Sequence, residues 1–141
     1  MREILFRGKR KVNNEWVEGF LFVDRNGLYK IKWYDPHYQS AKTSEVYPET
    51  VGQYTGLTDK NGVKIFEGDV LEYVYDDVPK ATFCVKMSVE DGAWLAKSLE
   101  DDGYFSAKAI SLVARVIGNI HDTPKLLEVS GDGKSDSVRY Q

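Results

Sequence analysis

An all-β domain, mostly antiparallel, is the fold this sequence predicts, and three observations predict it. Glycine-marked reversals recur at Arg25-Asn26-Gly27, Asp59-Lys60-Asn61-Gly62 and Glu90-Asp91-Gly92, and Asn-Gly and Asp-Gly pairs are strong hairpin signals. The segments between them are short and rich in β-branched and aromatic residues. Aromatic residues make up 13% of the chain, with tyrosine the commonest, and pleated surfaces favour them.

The elements follow in order. Ile4-Leu5-Phe6 opens a short strand that turns polar at Arg7, and Val12-Asn13-Asn14-Glu15 reads as a turn because asparagine tolerates left-handed dihedrals. Trp16–Val23 is a strand, with Gly19 marking a bulge or a close backbone neighbour. After the Arg25-Asn26-Gly27 reversal, Leu28–Tyr34 alternates, Lys30 and Lys32 on one face and Tyr29, Ile31 and Trp33 on the other. These strands form an N-terminal β-meander. Asp35–Glu45 reads as a loop, since Pro36 lacks a backbone donor.

The densest punctuation follows. Tyr54–Thr58 and Val63–Phe66 flank Asp59–Gly62, predicting a tight hairpin with Gly62 at positive φ and the Asp59 side chain bonding back to the chain. Glu67-Gly68-Asp69 turns into a strand over Val70–Tyr75, and Asp76–Lys80 turns again. Ala81–Met87 and Ala93–Ala96 form the next hairpin. Lys97–Phe105 is a polar connection, Ser106–Leu112 a short helix or a turn, and Val113–Ile120 the last strand. Thr123 and Pro124 start a short C-terminal helix, as N-cap and first helical residue. Residues 50–120 suggest a partly open SH3-like barrel on which the meander packs. The expected organisation is a single domain over residues 1–128, with possible sub-lobes 1–45 and 46–128, and a mobile tail over 129–141.

Two sequence segments carry a family resemblance with the centre. PETVGQYTGLTDKNGVKIFEGDV is similar to the signature of the YopX-like proteins of bacterial phages and prophages, REILFRGKRK with EWVEGF resembles that family's start, and VIGNIHDTPKLLE its end. The resemblance implies a phage or prophage origin and a mostly β fold, and brings no catalytic residues to carry over.

Composition bounds the function. Hydrophobic residues at 42% and charged residues at 29% fit a globular chain. One cysteine, Cys84, excludes an internal disulfide and an all-cysteine metal site, and its setting predicts a small buried strand residue. No signal peptide and no membrane span are expected, which points to the bacterial host cytoplasm. Phosphate-loop, zinc-protease, serine-hydrolase and Cys-x-x-Cys motifs do not occur, so no catalytic residue, no metal and no cofactor are expected. His121-Asp122 beside Asn119 reads as a polar turn. Carboxylates at Glu67, Asp69, Asp76-Asp77, Glu90-Asp91 and Glu100–Asp102 would have to converge to hold a divalent ion.

What remains is a surface. Residues 1–43 hold nine Lys/Arg against five Asp/Glu, within a chain of net charge −3. The candidate interaction surface is Arg7, Lys9, Arg10 and Lys11 with Trp33, Tyr34, His37 and Tyr38. The expected function is a non-enzymatic protein-interaction module that self-associates and meets a phage or host protein. Nucleic-acid association through the basic cluster and nearby aromatics is the alternative, disfavoured by the overall acidity.

Overall fold

The computed structural model describes residues 2–127, so the expected tail over 129–141 lies outside the described residues. The chain divides into two compact units between Gly56 and Leu57. The all-β expectation holds: among the described residues the strands are mostly antiparallel, and the one α-helix has five residues.

In the first unit, β1 (Phe6–Lys9), β2 (Trp16–Val23), β3 (Tyr29–Asp35) and β4 (Ser40–Glu45) form a meander, and β5 (Gly52–Thr58) begins there. The strand order is β4-β3-β2-β1-β5. Ile31 and Val46, both fully buried, fill its core. Gly8 lets them meet, since a Cβ there would lie 3.1 Å from Val46 Cβ and 3.2 Å from Ile31 Cδ1. Gly19 marks the close neighbour its position predicted, because an added Cβ would fall 2.1 Å from the Lys32 carbonyl oxygen.

The stretch Asp35–Glu45 is not the expected loop. It is a tight turn and an edge strand, β4, paired with β3 from Lys30↔Glu45 to Asp35↔Ser40. Pro36 sits inside the turn, where a missing donor costs nothing, and the Asp35 carboxylate accepts the His37 amide at 3.0 Å. Ser40-Ala41-Lys42-Thr43-Ser44-Glu45 lacks apolar alternation because no residue of this outer strand is buried.

The second unit holds β6 (Lys64–Phe66), β7 (Asp69–Tyr75), β8 (Val78–Ser88), β9 (Ala93–Ser98), β10 (Tyr104–Ser106), α1 (Ala107–Ser111) and β11 (Ala114–Asn119), then a 3₁₀ turn, Pro124–Leu127. Its sheet runs β10-β9-β8-β7-β11. That order is linear, and the expected SH3-like barrel is not confirmed. Ile65, Leu71, Val85 and Ala114 form the core, with Leu57, Trp94, Ile110 and Val116 packed against it. Two boundaries differ from expectation. Val78–Lys80 belongs to β8, because Asp76 and Asp77 both take positive φ (51° and 62°) and reverse the chain in two residues. The expected connection Lys97–Phe105 contains the end of β9 and most of β10. At the C-terminal end, Pro124 does open a helical turn, but of 3₁₀ type. Among the described residues no helix is long and apolar enough to cross a membrane.

One turn is built twice. Asp24-Arg25-Asn26-Gly27-Leu28 and Asp59-Lys60-Asn61-Gly62-Val63 share a pattern and a hydrogen-bond set. Each aspartate Oδ1 accepts two backbone amides, from Asn26 and Leu28 at 2.9 and 3.0 Å and from Asn61 and Val63 at 2.8 and 2.9 Å. Each glycine takes φ near +84°, at 83° and 85°. The second oxygens differ. Asp24 Oδ2 meets the Lys30 ammonium at 2.9 Å, whereas Asp59 Oδ2 accepts the Val116 amide of β11 at 2.9 Å. The Lys30 contact and the two amides hold the Asp24 carboxyl below its ordinary 3.8. Its contribution is therefore present above that pH and lost as pH falls through the lower native value.

Asp59→Ala strands three backbone amides, one of them in another strand, and Asp24→Ala strands two at the surface. We expect Asp59→Ala to cost about 3 kcal/mol and Asp24→Ala clearly less. Urea denaturation of both variants checks this, and coincident midpoints would refute it.

Candidate functional site

Strand pleating decides where the predicted surface residues point. The register sets Arg7 opposite Glu18 and Lys9 opposite Trp16, and Phe20 opposite Lys32 and Phe22 opposite Lys30. Arg7, Lys9, Trp16, Glu18, Phe20, Phe22, Lys30, Lys32 and Tyr34 thus share the outer face of the first sheet. Ile31 and Val46 occupy the other face. Lys11 joins the outer face beside Glu45, at 2.7 Å, and that hydrogen bond raises its pKa above 10.5.

The sequence-predicted set is therefore divided. Arg7, Lys9, Lys11 and Tyr34 lie on the outer face. Arg10 and Trp33 lie on the inner one, where the guanidinium stands 5.5 Å over the indole and its Nε donates to Ser44 at 3.0 Å. His37 and Tyr38 occupy the β3–β4 turn, edge to face at 4.6 Å, with the Lys42 ammonium 4.1 Å over the Tyr38 ring. Tyr38 is 63% exposed.

Sequence reasoning missed Trp16, Phe20, Phe22 and Lys32. The signal was present in Trp16-Val17-Glu18-Gly19-Phe20-Leu21-Phe22, whose alternate residues all share a face once Asn26-Gly27 sets the hairpin. Phe20 is 72% exposed and Tyr34 62%. The β2–β3 ladder ends at Phe20↔Lys32, while β2 continues along β1. Where β2 and β3 part, a concavity of about 380 Å³ opens, lined by Glu18, Phe20, Lys32, Trp33, Tyr34 and Ala41. Around it the cations rest on aromatic rings: Arg7 lies 4.7 Å and Lys9 5.7 Å over Trp16. Among the described residues Lys32 makes no ion pair.

In the second unit a hollow of about 480 Å³ is lined by Cys84, Lys86, Lys97, Leu99, Ile120 and others. Cys84 sits on β8 opposite Lys97, and burial pushes its thiol up to about 11 from an ordinary 9.0. Of the carboxylates, Glu67 and Asp102 also line this hollow, and others are engaged in local hydrogen bonds. Glu100 accepts from the Thr82 amide and hydroxyl at 3.1 and 2.6 Å, Asp101 from the Gly103 amide at 2.7 Å, and Asp69 from the Phe66 amide at 2.8 Å. Among the described residues no three His, Cys, Asp or Glu side chains could hold one metal ion. At the end of β11, Asn119 Oδ1 accepts the His121 and Asp122 amides at 2.9 and 2.8 Å. That is the polar turn the sequence predicts.

A family model described as YopX protein matches residues 5–128. Protein EF1440 from Enterococcus faecalis has a similar crystal structure, with 25% identity and a TM-score of 0.56, over 91% of this chain and 100% of that one. Protein yopX from Bacillus subtilis has the same fold, with 15% identity and a TM-score of 0.53, over 92% of this chain and 98% of that one. Among curated proteins none matches.

The Cys84 thiol stays protonated in the native state between pH 9.0 and about 11, where the unfolded chain has ionised. It therefore weakens the fold as pH rises through that window. At pH 8, iodoacetamide should alkylate native Cys84 far more slowly than the urea-unfolded chain, with the native rate climbing towards pH 11. Equal rates at pH 8 would contradict this.

Proposed function

This chain belongs to the YopX protein family, and we propose that it is a non-enzymatic binding module of a phage or prophage, working in the bacterial cytoplasm through the outer face of its first sheet. The observation that carries this reading is the pair Phe20 and Tyr34, 72% and 62% exposed on either side of one concavity. Lone exposed apolar residues are ordinary on any surface, but aromatic side chains grouped around a hollow and bordered by cations suit recognition. Because neither side chain supports the core, replacing them tests binding without unfolding the sheet. The full chain, immobilised and exposed to lysate from a phage-induced host, should retain material that a Phe20→Ser/Tyr34→Ser variant of unchanged circular dichroism releases. Retention of the same material by both would overturn this reading.

Self-association is the second part of the proposal, and β4 supports it. This strand is an outer strand of its sheet and offers backbone N–H and C=O groups along an exposed edge. Light scattering of the purified chain should give the mass of an oligomer, and a strict monomer at high concentration would defeat this part alone.

A further inference from the structure

Resting on the reading of the outer face as a binding surface, we propose that its occupant is a second copy of this chain, related by a twofold axis that runs along the line from Phe20 to Tyr34. Self-association then has a surface of its own, the concavity between β2 and β3, separate from the β4 edge.

The register arranges four exposed side chains as a quadrilateral. Phe20 stands directly opposite Lys32. Glu18 lies two residues before Phe20 on β2, and Tyr34 two residues after Lys32 on β3, so all four share one face. Beyond Phe20 and Lys32 the strands part, which puts Glu18 and Tyr34 across the concavity from each other. The charges therefore occupy one diagonal and the rings the other. A twofold interface is self-complementary: what one copy presents on one side of the axis meets what the other presents on the opposite side. With the axis along the aromatic diagonal, Glu18 meets the partner's Lys32, and Lys32 meets the partner's Glu18. Phe20 and Tyr34 lie on the axis, so each ring meets its own counterpart, and offset stacking suits such pairs.

Charge complementarity selects this occupant. The other cations of the face are already engaged within the chain: Lys11 with Glu45 at 2.7 Å, Lys30 with Asp24 at 2.9 Å, and Arg7 and Lys9 over Trp16 at 4.7 and 5.7 Å. Among the described residues Glu18 and Lys32 make no ion pair. One anion and one cation thus remain at the rim of one hollow. They are balanced by a partner that brings one of each in reversed order, and a second copy does so by symmetry. An apolar partner would bury both charges unpaired. A polyanion would suit Lys32 and repel Glu18. The rings supply the attraction, since Phe20 is 72% and Tyr34 62% exposed, and the interface takes both copies of each out of water.

Sedimentation equilibrium of the full chain over a concentration series tests the proposal. The wild-type chain should form a dimer. Glu18→Lys and Lys32→Glu should each weaken it roughly tenfold or more, because each sets like charges together on both sides of the axis. The double swap Glu18→Lys/Lys32→Glu should restore the dimer. An equal mixture of the two single variants should form a heterodimer, since every charge again meets its opposite. Phe20→Ser should weaken the dimer by a similar factor, roughly tenfold. These side chains are exposed, so the circular dichroism of each variant should be unchanged. A wild-type monomer at every concentration would overturn the proposal. So would a double swap as weak as the single ones, or a dimer indifferent to the swaps and to Phe20→Ser, which would leave self-association to the β4 edge. The outer face as a binding surface is judged separately by the lysate experiment. A monomeric wild-type chain that still retains material in a Phe20- and Tyr34-dependent way refutes the second copy and assigns the face to a foreign partner. If the lysate experiment also finds no difference between variants, both readings fall.

Discussion

The Asp59 carboxylate is the interaction on which the second unit's construction depends. One oxygen closes the turn by accepting the Asn61 and Val63 amides, and the other accepts the Val116 amide from a strand 57 residues away in sequence. The neighbouring Lys60 amide donates to the Ala114 carbonyl at 3.0 Å, so the turn holds β11 at two points. A carboxylate only 6% exposed is costly to desolvate, and the three amide donors are what offset that cost. The same five-residue pattern at Asp24 performs only the local part, because its outer oxygen faces a lysine at the surface. The repetition isolates what burial adds: the turn forms from the sequence, and the long-range tether forms from where the turn is placed.

This distinction explains what could be read in advance. Turns announced themselves through residues with local consequences. Gly27, Gly62 and Gly92 all take positive φ, and each sits where a hairpin was expected. The Asp59 side chain bonding back to its own turn was legible for the same reason. Its third acceptance was not, since nothing near Asp59 in sequence names Val116. β4 was missed because edge strands lose the apolar alternation by which strands are recognised, and its small polar residues look like a loop. The SH3-like barrel was an inference from the Glu67-Gly68-Asp69 turn entering a long strand, followed by hairpins and a final strand, and that succession does not determine closure.

The interaction surface was half legible, and the pleat accounts for the other half. A cluster chosen by nearness in sequence mixes both faces of a sheet: Arg10 and Trp33 fall inside, Arg7, Lys9 and Tyr34 outside. Residues that act together on a sheet stand two apart along a strand and opposite across strands. Phe20 and Lys32 meet that condition through the register, which only the hairpin geometry supplies. The family resemblance repairs this only in part, since EWVEGF takes in Trp16 and Phe20. Its longest motif covers the Asp59 turn, which builds the fold, and leaves out Phe20, Lys32 and Tyr34.

Those architectural facts bear on how the outer face would recognise anything. Arg7 and Lys9 lie over the Trp16 ring, and Lys11 over Tyr47 at 5.7 Å. A long cationic side chain ordinarily loses considerable rotamer entropy when a partner fixes it. Here the aromatic faces restrict these chains beforehand. Gly19 contributes from the backbone, because the close approach of β2 to Lys32 tolerates no side chain and sits where the two strands diverge into the concavity. The rigidity of the sheet and the preset cations thus arise from one source: a meander whose core is small and whose outer surface is held in place by its own aromatic residues.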